Sequence, residues 1–141
     1  MEFVNFTIGG QNIDLEWPNE GYADLHNDYD FSRLTYVSAE ASLILLWKKS
    51  SGKWADNAPC QMIQLTFNNV SYFQLKERDS AYPVSEDSCL QSICRSPQSA
   101  RDEFESIYFN KDAHDNYDLT LYFQSEWGIK VNSDTVYLKL E

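Results

Sequence analysis

Residues 117–140 alternate apolar and polar side chains in three successive runs, and this alternation constrains the fold more than any other feature. The apolar positions are Tyr117, Leu119, Leu121 and Phe123, then Trp127, Ile129 and Val131, and finally Val136, Leu138 and Leu140. A period of two places alternate side chains on opposite faces of a strand, so each run is predicted to be a strand with one buried face. The short joints at 124–126 and 132–134 predict an antiparallel meander.

Earlier segments are also predicted to be strands, namely 2–8, 12–17, 31–37, 42–48, 60–67 and 70–77. Gly9-Gly10 and Asn68-Asn69 mark predicted hairpin turns, because glycine and asparagine tolerate positive φ. The run 42–48 is apolar on both faces, which favours a strand in the interior of a sheet. Residues 18–30 are predicted to form a loop.

One short helix is predicted at about residues 86–95. Ser85 can cap its first amides, and Leu90, Ile93 and Cys94 fall on one side at helical spacing. Residues 102–110 fit a helix or a strand, and their Ile-Tyr-Phe sequence favours a strand paired with 117–124.

These elements predict a mainly β fold: an antiparallel sheet or two-layer β domain with a C-terminal three-strand meander and one short helix. A length of 141 residues without repeats or linkers predicts a single domain, 1–141. The sequence has no apolar run long enough to span a membrane, and its start lacks the features of a secretory signal. A cytoplasmic location is therefore expected, with Cys60, Cys89 and Cys94 as reduced thiols.

The formal net charge is −11, which disfavours binding to nucleic acid or anionic membranes and favours a basic protein partner. The acids are most concentrated before Arg33, the first basic residue. The candidate partner-binding residues are Asp14, Glu16, Trp17, Glu20, Tyr22, Asp24, Asp28 and Asp30. The acids would supply the field and the two aromatic residues the anchors. The alternative is a solvated loop whose charge serves solubility.

Both histidines lie among acids, which are residue types that bind metals or perform acid–base chemistry. His26 lies among Asp24, Asp28 and Asp30, and His114 lies among Asp112, Asp115 and Asp118, but neither spacing matches a known metal or catalytic motif. A cysteine nucleophile with a histidine base lacks an activating context. No phosphate-binding glycine motif is present. No catalytic, cofactor-binding or metal-binding residue is therefore predicted.

The sequence order from Leu25-His26-Asn27-Asp28, through Leu65-Thr66-Phe67-Asn68-Asn69-Val70, to the closing meander resembles a group of small proteins. These are bacterial β-rich domains of unknown function, some grouped with immunity proteins of polymorphic toxin systems. The resemblance covers roughly 25–141 and implies a cytoplasmic bacterial protein without catalysis that neutralises a toxin. It carries no functional residue over to this chain.

Two functions follow as expectations. The first is a non-enzymatic acidic protein-binding module of the immunity type, which covers a basic toxin. The alternative is a small-molecule-binding β domain or a weak enzyme with a cavity between its layers. The oligomeric state stays open.

Overall fold

The computed structural model describes residues 1–105 and 112–141, and strands dominate it, which confirms the predicted mainly β fold. The strands are β1 (Glu2–Phe3), β2 (Thr7–Ile8), β3 (Asp14–Trp17), β4 (Gly21–Asp24), β5 (Tyr29–Val37), β6 (Ser42–Lys49), β7 (Met62–Asn68), β8 (Tyr72–Lys76), β9 (Leu90–Ser96), β10 (Asp118–Phe123), β11 (Gly128–Asn132) and β12 (Thr135–Leu140). Short 3-10 helices lie at Ser38–Glu40, Lys53–Ala55, Val84–Ser88 and Gln98–Ala100.

The strands form three sheets. Sheet I has five strands in the order β1-β12-β7-β6-β5, sheet II has four in the order β8-β11-β10-β9, and sheet III has three in the order β2-β3-β4. Neighbouring strands are antiparallel, except that β1 and β12 are parallel. As predicted, the apolar strand β6 lies inside its sheet, between β5 and β7.

All three sheets contribute to one hydrophobic core. Sheet I supplies Trp47 and Phe67, sheet II supplies Leu121, and sheet III supplies Leu15 and Ala23. The predicted buried face of the C-terminal stretch is confirmed, with at most 5% of any side chain exposed, at Leu119, Leu121, Phe123, Ile129, Val131, Val136 and Leu138.

The predicted C-terminal meander is only partly correct. β10 and β11 form the expected hairpin, but β12 pairs with β7 in sheet I, with Val136 opposite Phe67. The joint at 132–134 is a corner between sheets, where the Asp134 amide donates to the Asn68 carbonyl at 3.1 Å. A period of two specifies which side chains face the core, and strands from either layer satisfy it.

The predicted hairpin around Asn68-Asn69 is wrong for the same reason. Asn69 does adopt a positive φ of 54°, but the turn carries the chain from β7 in sheet I to β8 in sheet II. The two crossings lie side by side, since the Ser71 amide donates to the Asn132 carbonyl at 2.9 Å.

The helix predicted at 86–95 is also wrong. Its first part is the 3-10 helix Val84–Ser88, and the rest is strand β9. In the β9–β10 ladder Leu90 pairs with Phe123 and Ser92 pairs with Tyr122, so Gln91 is an extra, bulged residue. The bulge directs both Leu90 and Ile93 into the core three residues apart, and this spacing imitates a helix.

The N-terminal region contains more strand than predicted within 18–30, because β4 and the start of β5 fall there. The turn between β3 and β4 uses Asn19 and Glu20, both with positive φ of 66° and 61°. The hairpin at Gly9-Gly10 is confirmed by the pairing of β2 with β3, but its positive φ of 60° belongs to Asn12.

The interpretation of 102–110 falls partly on 106–110, which lie outside the described residues. Residues 102–105 are not a strand. The predicted pairing with β10 is excluded, because β9 and β11 occupy both edges of that strand.

Candidate functional site

Sheet III presents an acidic outer face. In the β3–β4 register Asp14 lies opposite Asp24 and Glu16 opposite Tyr22. Directly opposed residues and alternate residues of a strand project to the same side, so these four side chains share one face. The other face points into the core through Leu15, which is fully buried. We call the outer set Asp14, Glu16, Tyr22 and Asp24, together with Asp28 of the following turn, the acidic face.

A turn stabilised by Asp24 places Asp28 beside this face. The Asp24 carboxylate accepts the amides of His26 and Asn27 at 2.9 and 2.8 Å, and the Asn27 side-chain amide at 2.7 Å. The Asp28 amide donates to the Asp24 carbonyl at 3.1 Å. These bonds fix the turn, because each satisfies a polar group that would otherwise need water.

The acids of this face act on one another and on Tyr22. Burial, followed by the negative charges of Asp14 and Asp24, raises the pKa of the Tyr22 phenol. Burial and the charge of Asp24 raise the pKa of the Asp28 carboxyl. Within residues 1–105 and 112–141, none of the ion pairs found involves an acid of this face. The face is therefore a negative field that the described part of the chain does not neutralise.

The remaining predicted partner-binding residues lie elsewhere. Trp17 is on the inner side of sheet III, where a Cβ at Gly21 would lie 1.9 Å from its Nε1. Glu20 is exposed in the β3–β4 turn. Asp30 lies on β5 of sheet I, directly opposite Lys48, and accepts the Ser50 hydroxyl at 2.9 Å. The fold thus brings a cation close to Asp30 and separates it from the acidic face.

Trp54 is an exposed aromatic residue at the border of this face, and it is not among the candidate residues predicted from the sequence. Its side chain is 71% exposed, and its indole N–H donates to the Asn27 carbonyl at 2.9 Å. That bond holds the ring beside the turn from Asp24 to Asp28. The sequence signal was an isolated tryptophan in a polar loop, without apolar neighbours at strand spacing.

Cys89 and His26 approach each other, but their chemistry is not that of a nucleophile and its base. Cys89 Sγ lies 3.7 Å from His26 Nδ1. The same nitrogen bonds to the Leu90 carbonyl, which only accepts, so Nδ1 carries the proton and cannot take one from the thiol. Burial, followed by the charges of Glu86 and Asp30, raises the pKa of the Cys89 thiol, which is the opposite of activation.

His114 is not near His26 in any described contact. Its ring packs against Tyr117 with 5.3 Å between centroids, and its carbonyl accepts from Arg95 at 3.3 Å. Among the described residues, no group of three or more His, Cys, Asp or Glu side chains is arranged to hold a metal ion.

The face of sheet II away from the core is polar and buried. Lys130 is fully buried, and its Nζ donates to Thr120 Oγ1 at 2.9 Å and to Ser96 Oγ at 3.3 Å. The ammonium also lies 4.8 Å from the centroid of the Phe104 ring. Burial lowers the pKa of Lys130. An amine beside two hydroxyls could move protons, but substrate cannot reach it here, so this cluster is an internal hydrogen-bond network.

A fully buried carboxylate stands next to this network. Asp118 accepts two bonds from the Arg101 guanidinium, at 2.8 and 3.0 Å, and one from the Asn132 side-chain amide at 2.8 Å. Arg101 in turn stacks on the Tyr72 ring, with 3.5 Å from its Cζ to the centroid. Both oxygens of this buried acid therefore accept at least one hydrogen bond.

A groove of about 810 Å³ near the N-terminus bears on the alternative function. Its lining includes Phe3, Thr7, Arg95 and Asp115. Arg95 already donates to the His114 and Tyr117 carbonyls, and its guanidinium lies 5.0 Å from the Phe3 centroid. Because these contacts already engage the Arg95 guanidinium, the groove is a weaker candidate than the acidic face.

Comparison with protein-family models, with curated proteins and with solved structures found no match to this chain. In the part of the chain that the structure describes, no helix has the length and apolar character needed to cross a membrane.

Proposed function

We propose that this chain is a non-enzymatic module that binds a basic protein through its acidic face, in the manner of an immunity-type protein covering a basic toxin. The observation that carries this proposal is the direct opposition of Asp14 and Asp24 across β3 and β4, with no ion-pair partner among the described residues. Like charges directly opposite each other in a sheet destabilise it. A cationic partner surface would offset that cost, and this gives the arrangement a function.

The exposed aromatic residues in and beside the acidic face support a protein partner over small ions. Tyr22 is 45% exposed within the acidic face, and Trp54 is 71% exposed beside it. Tyrosine and tryptophan are enriched among the residues that dominate binding energy in protein interfaces. The aromatic rings of both residues also attract lysine and arginine side chains. The resemblance to immunity proteins agrees with this partner class.

The test begins with capture of a partner from the source organism, followed by association kinetics at increasing ionic strength. Reversal of Glu16 and Asp28 to lysine should slow association about tenfold or more at low salt, because exposed acids steer a basic partner. Both are better test positions than Asp24, whose carboxylate holds the turn. The matched control is reversal of Glu40 and Glu77, which are exposed outside sheet III.

The rate difference should shrink with salt, because the Debye length falls from about 10 Å at 0.1 M to about 3 Å at 1 M. The control pair should slow association much less than the pair on the acidic face. An acidic partner, or an association rate indifferent to salt and to both reversals, would remove the basis for the proposal.

A further inference from the structure

We infer that Asp14 is the anchor of the acidic face and takes one basic side chain, the ammonium of a lysine or the guanidinium of an arginine, from the partner. The inference rests on the proposed function and names the group within the face that decides affinity. Glu16 and Asp28 are more exposed than Asp14 and would mainly raise the association rate of the partner.

The first argument is a comparison of two buried acids in the same chain. Asp118 is fully buried and accepts three hydrogen bonds, two from Arg101 and one from Asn132. Asp14 is also buried, with 3% exposure. Its Oδ1, however, has no hydrogen-bond donor in the described part of the chain. A buried carboxylate without a donor costs free energy, so a ligand that brings a donor gains from it.

The second argument is the direction of the Asp14 side chain. Its register position opposite Asp24 places it on the outer side of sheet III, away from the core. Burial, followed by the charge of Asp14, raises the pKa of the Tyr22 phenol, in keeping with the shared face of the two side chains. The buried oxygen therefore belongs to the same face as the exposed Tyr22 ring, and that ring offers a cation a second favourable contact.

The backbone at Gly9 leaves space for the Asp14 carboxylate. Gly9 closes the β2–β3 hairpin with its amide on the Asp14 carbonyl at 2.9 Å. A Cβ at Gly9 would lie 1.6 Å from Asp14 Oδ2, so the carboxylate in its present position packs directly against the bare Cα of Gly9. A buried acid accommodated in this way, without an internal partner, is a feature that stability alone does not explain.

The neighbouring groups favour a basic side chain over a divalent metal ion. Asp24 has both oxygens engaged by the backbone and side chain of its own turn. Calcium needs six to eight oxygen ligands, and among the described residues no cluster of three or more ligating side chains is arranged for a metal. One available carboxylate matches one ammonium or guanidinium.

Entry of that side chain requires the groups that cover Asp14 to move aside, because this residue is only 3% exposed. Tyr22 lies on the same face of sheet III and is 45% exposed, so it is available to contact the arriving cation. Once bound at this depth, the cation would be shielded from solvent. A shielded pair is screened by salt much less than a pair at the rim.

The experiment measures the affinity of an octalysine peptide and an octaarginine peptide for the wild type, Asp14→Asn and Glu16→Gln, each at 0.1 and 0.5 M salt. Asp14→Asn should weaken binding about tenfold or more at both salt concentrations. Glu16→Gln should weaken binding only at low salt, because its charge is exposed and screened. The preference between the two peptides identifies which basic side chain the anchor takes.

The inference fails if Asp14→Asn and Glu16→Gln have the same effect and the same salt dependence. In that case the salt-dependent binding of both peptides would persist, and the proposed function would stand. If neither peptide binds the wild type in a salt-dependent way, the proposed function itself fails. Denaturation midpoints verify that Asp14→Asn folds, and Asp14→Ser provides the same test if it does not.

Discussion

At the residue scale, the polar positions of the C-terminal strands are the ones that the alternation pattern does not explain. Asp118, Thr120 and Lys130 occupy the non-core positions of their strands, where the pattern predicts solvent exposure, yet all three are buried. Phe104, from the segment that follows β9, lies over this face, within 4.8 Å of the Lys130 ammonium. A period of two identifies the strand face that is buried by apolar contacts. It does not identify polar residues on the other face that a covering segment buries and supplies with hydrogen-bond partners.

Lys130 gives a testable consequence of that burial. Replacing it with methionine should raise the unfolding free energy at pH 7 by about 1 kcal/mol, because a buried ionisable amine is removed while Ser96 and Thr120 still bond to each other at 2.6 Å. Urea denaturation at pH 7 and at pH 9.5 measures the effect. Lys53→Met, at an exposed position, is the control.

The pH dependence of this difference has a definite sign. Burial lowers the pKa of Lys130 in the folded state, so protonation of its amine destabilises the fold. This loss of unfolding free energy is absent above the unfolded pKa, about 10.4, and becomes complete as pH falls through the folded pKa. The advantage of Lys130→Met should therefore narrow as pH rises toward the unfolded pKa. An advantage that grows with pH, or a methionine variant much less stable than the wild type at pH 7, would contradict this account.

At the element scale, the sequence predicted the strands well and their partners poorly. The alternation located β10, β11 and β12, but the corners at 68–71 and 132–134 exchange the chain between sheets I and II, and a short joint looks the same in a hairpin and in a corner. The bulge at Gln91 gave β9 the spacing of a helix. The turn predicted at Asn68-Asn69 does contain a positive φ, at Asn69, because hairpins and corners between sheets both use this conformation.

The bond between Arg101 and Asp118 ties the segment after β9 to strand β10, and its loss should be costly. Arg101→Met leaves the fully buried Asp118 carboxylate with the Asn132 amide alone, so we expect a loss of about 3 kcal/mol of unfolding free energy. Arg78→Met is the matched control, because both side chains of its pair with Asp87 are about one-third exposed. That control should lose ~1 kcal/mol or less. Equal losses in the two variants would show that Asp118 does not depend on Arg101.

At the scale of the whole molecule, the distribution of charge is what connects sequence to function. The sequence showed the excess of acids before Arg33, and sheet III turns three members of that set, Asp14, Glu16 and Asp24, toward one outer region. The turn after β4 adds Asp28 beside them. It could not show that Trp17 packs inward over Gly21, or that Lys48 lies opposite Asp30. Those placements depend on strand register, which charge spacing along the chain does not determine.

The most direct test of the acidic face is residue-resolved mapping of where a cationic peptide binds. In amide and indole NMR spectra of the wild type titrated with octalysine, the largest shifts should fall on residues 14–28 and on the Trp54 indole N–H, which lies beside that turn. A neutral octamer of glycine and serine should shift neither set. Shifts concentrated elsewhere, or spread evenly over all exposed acids, would contradict the claim that this face is the docking surface.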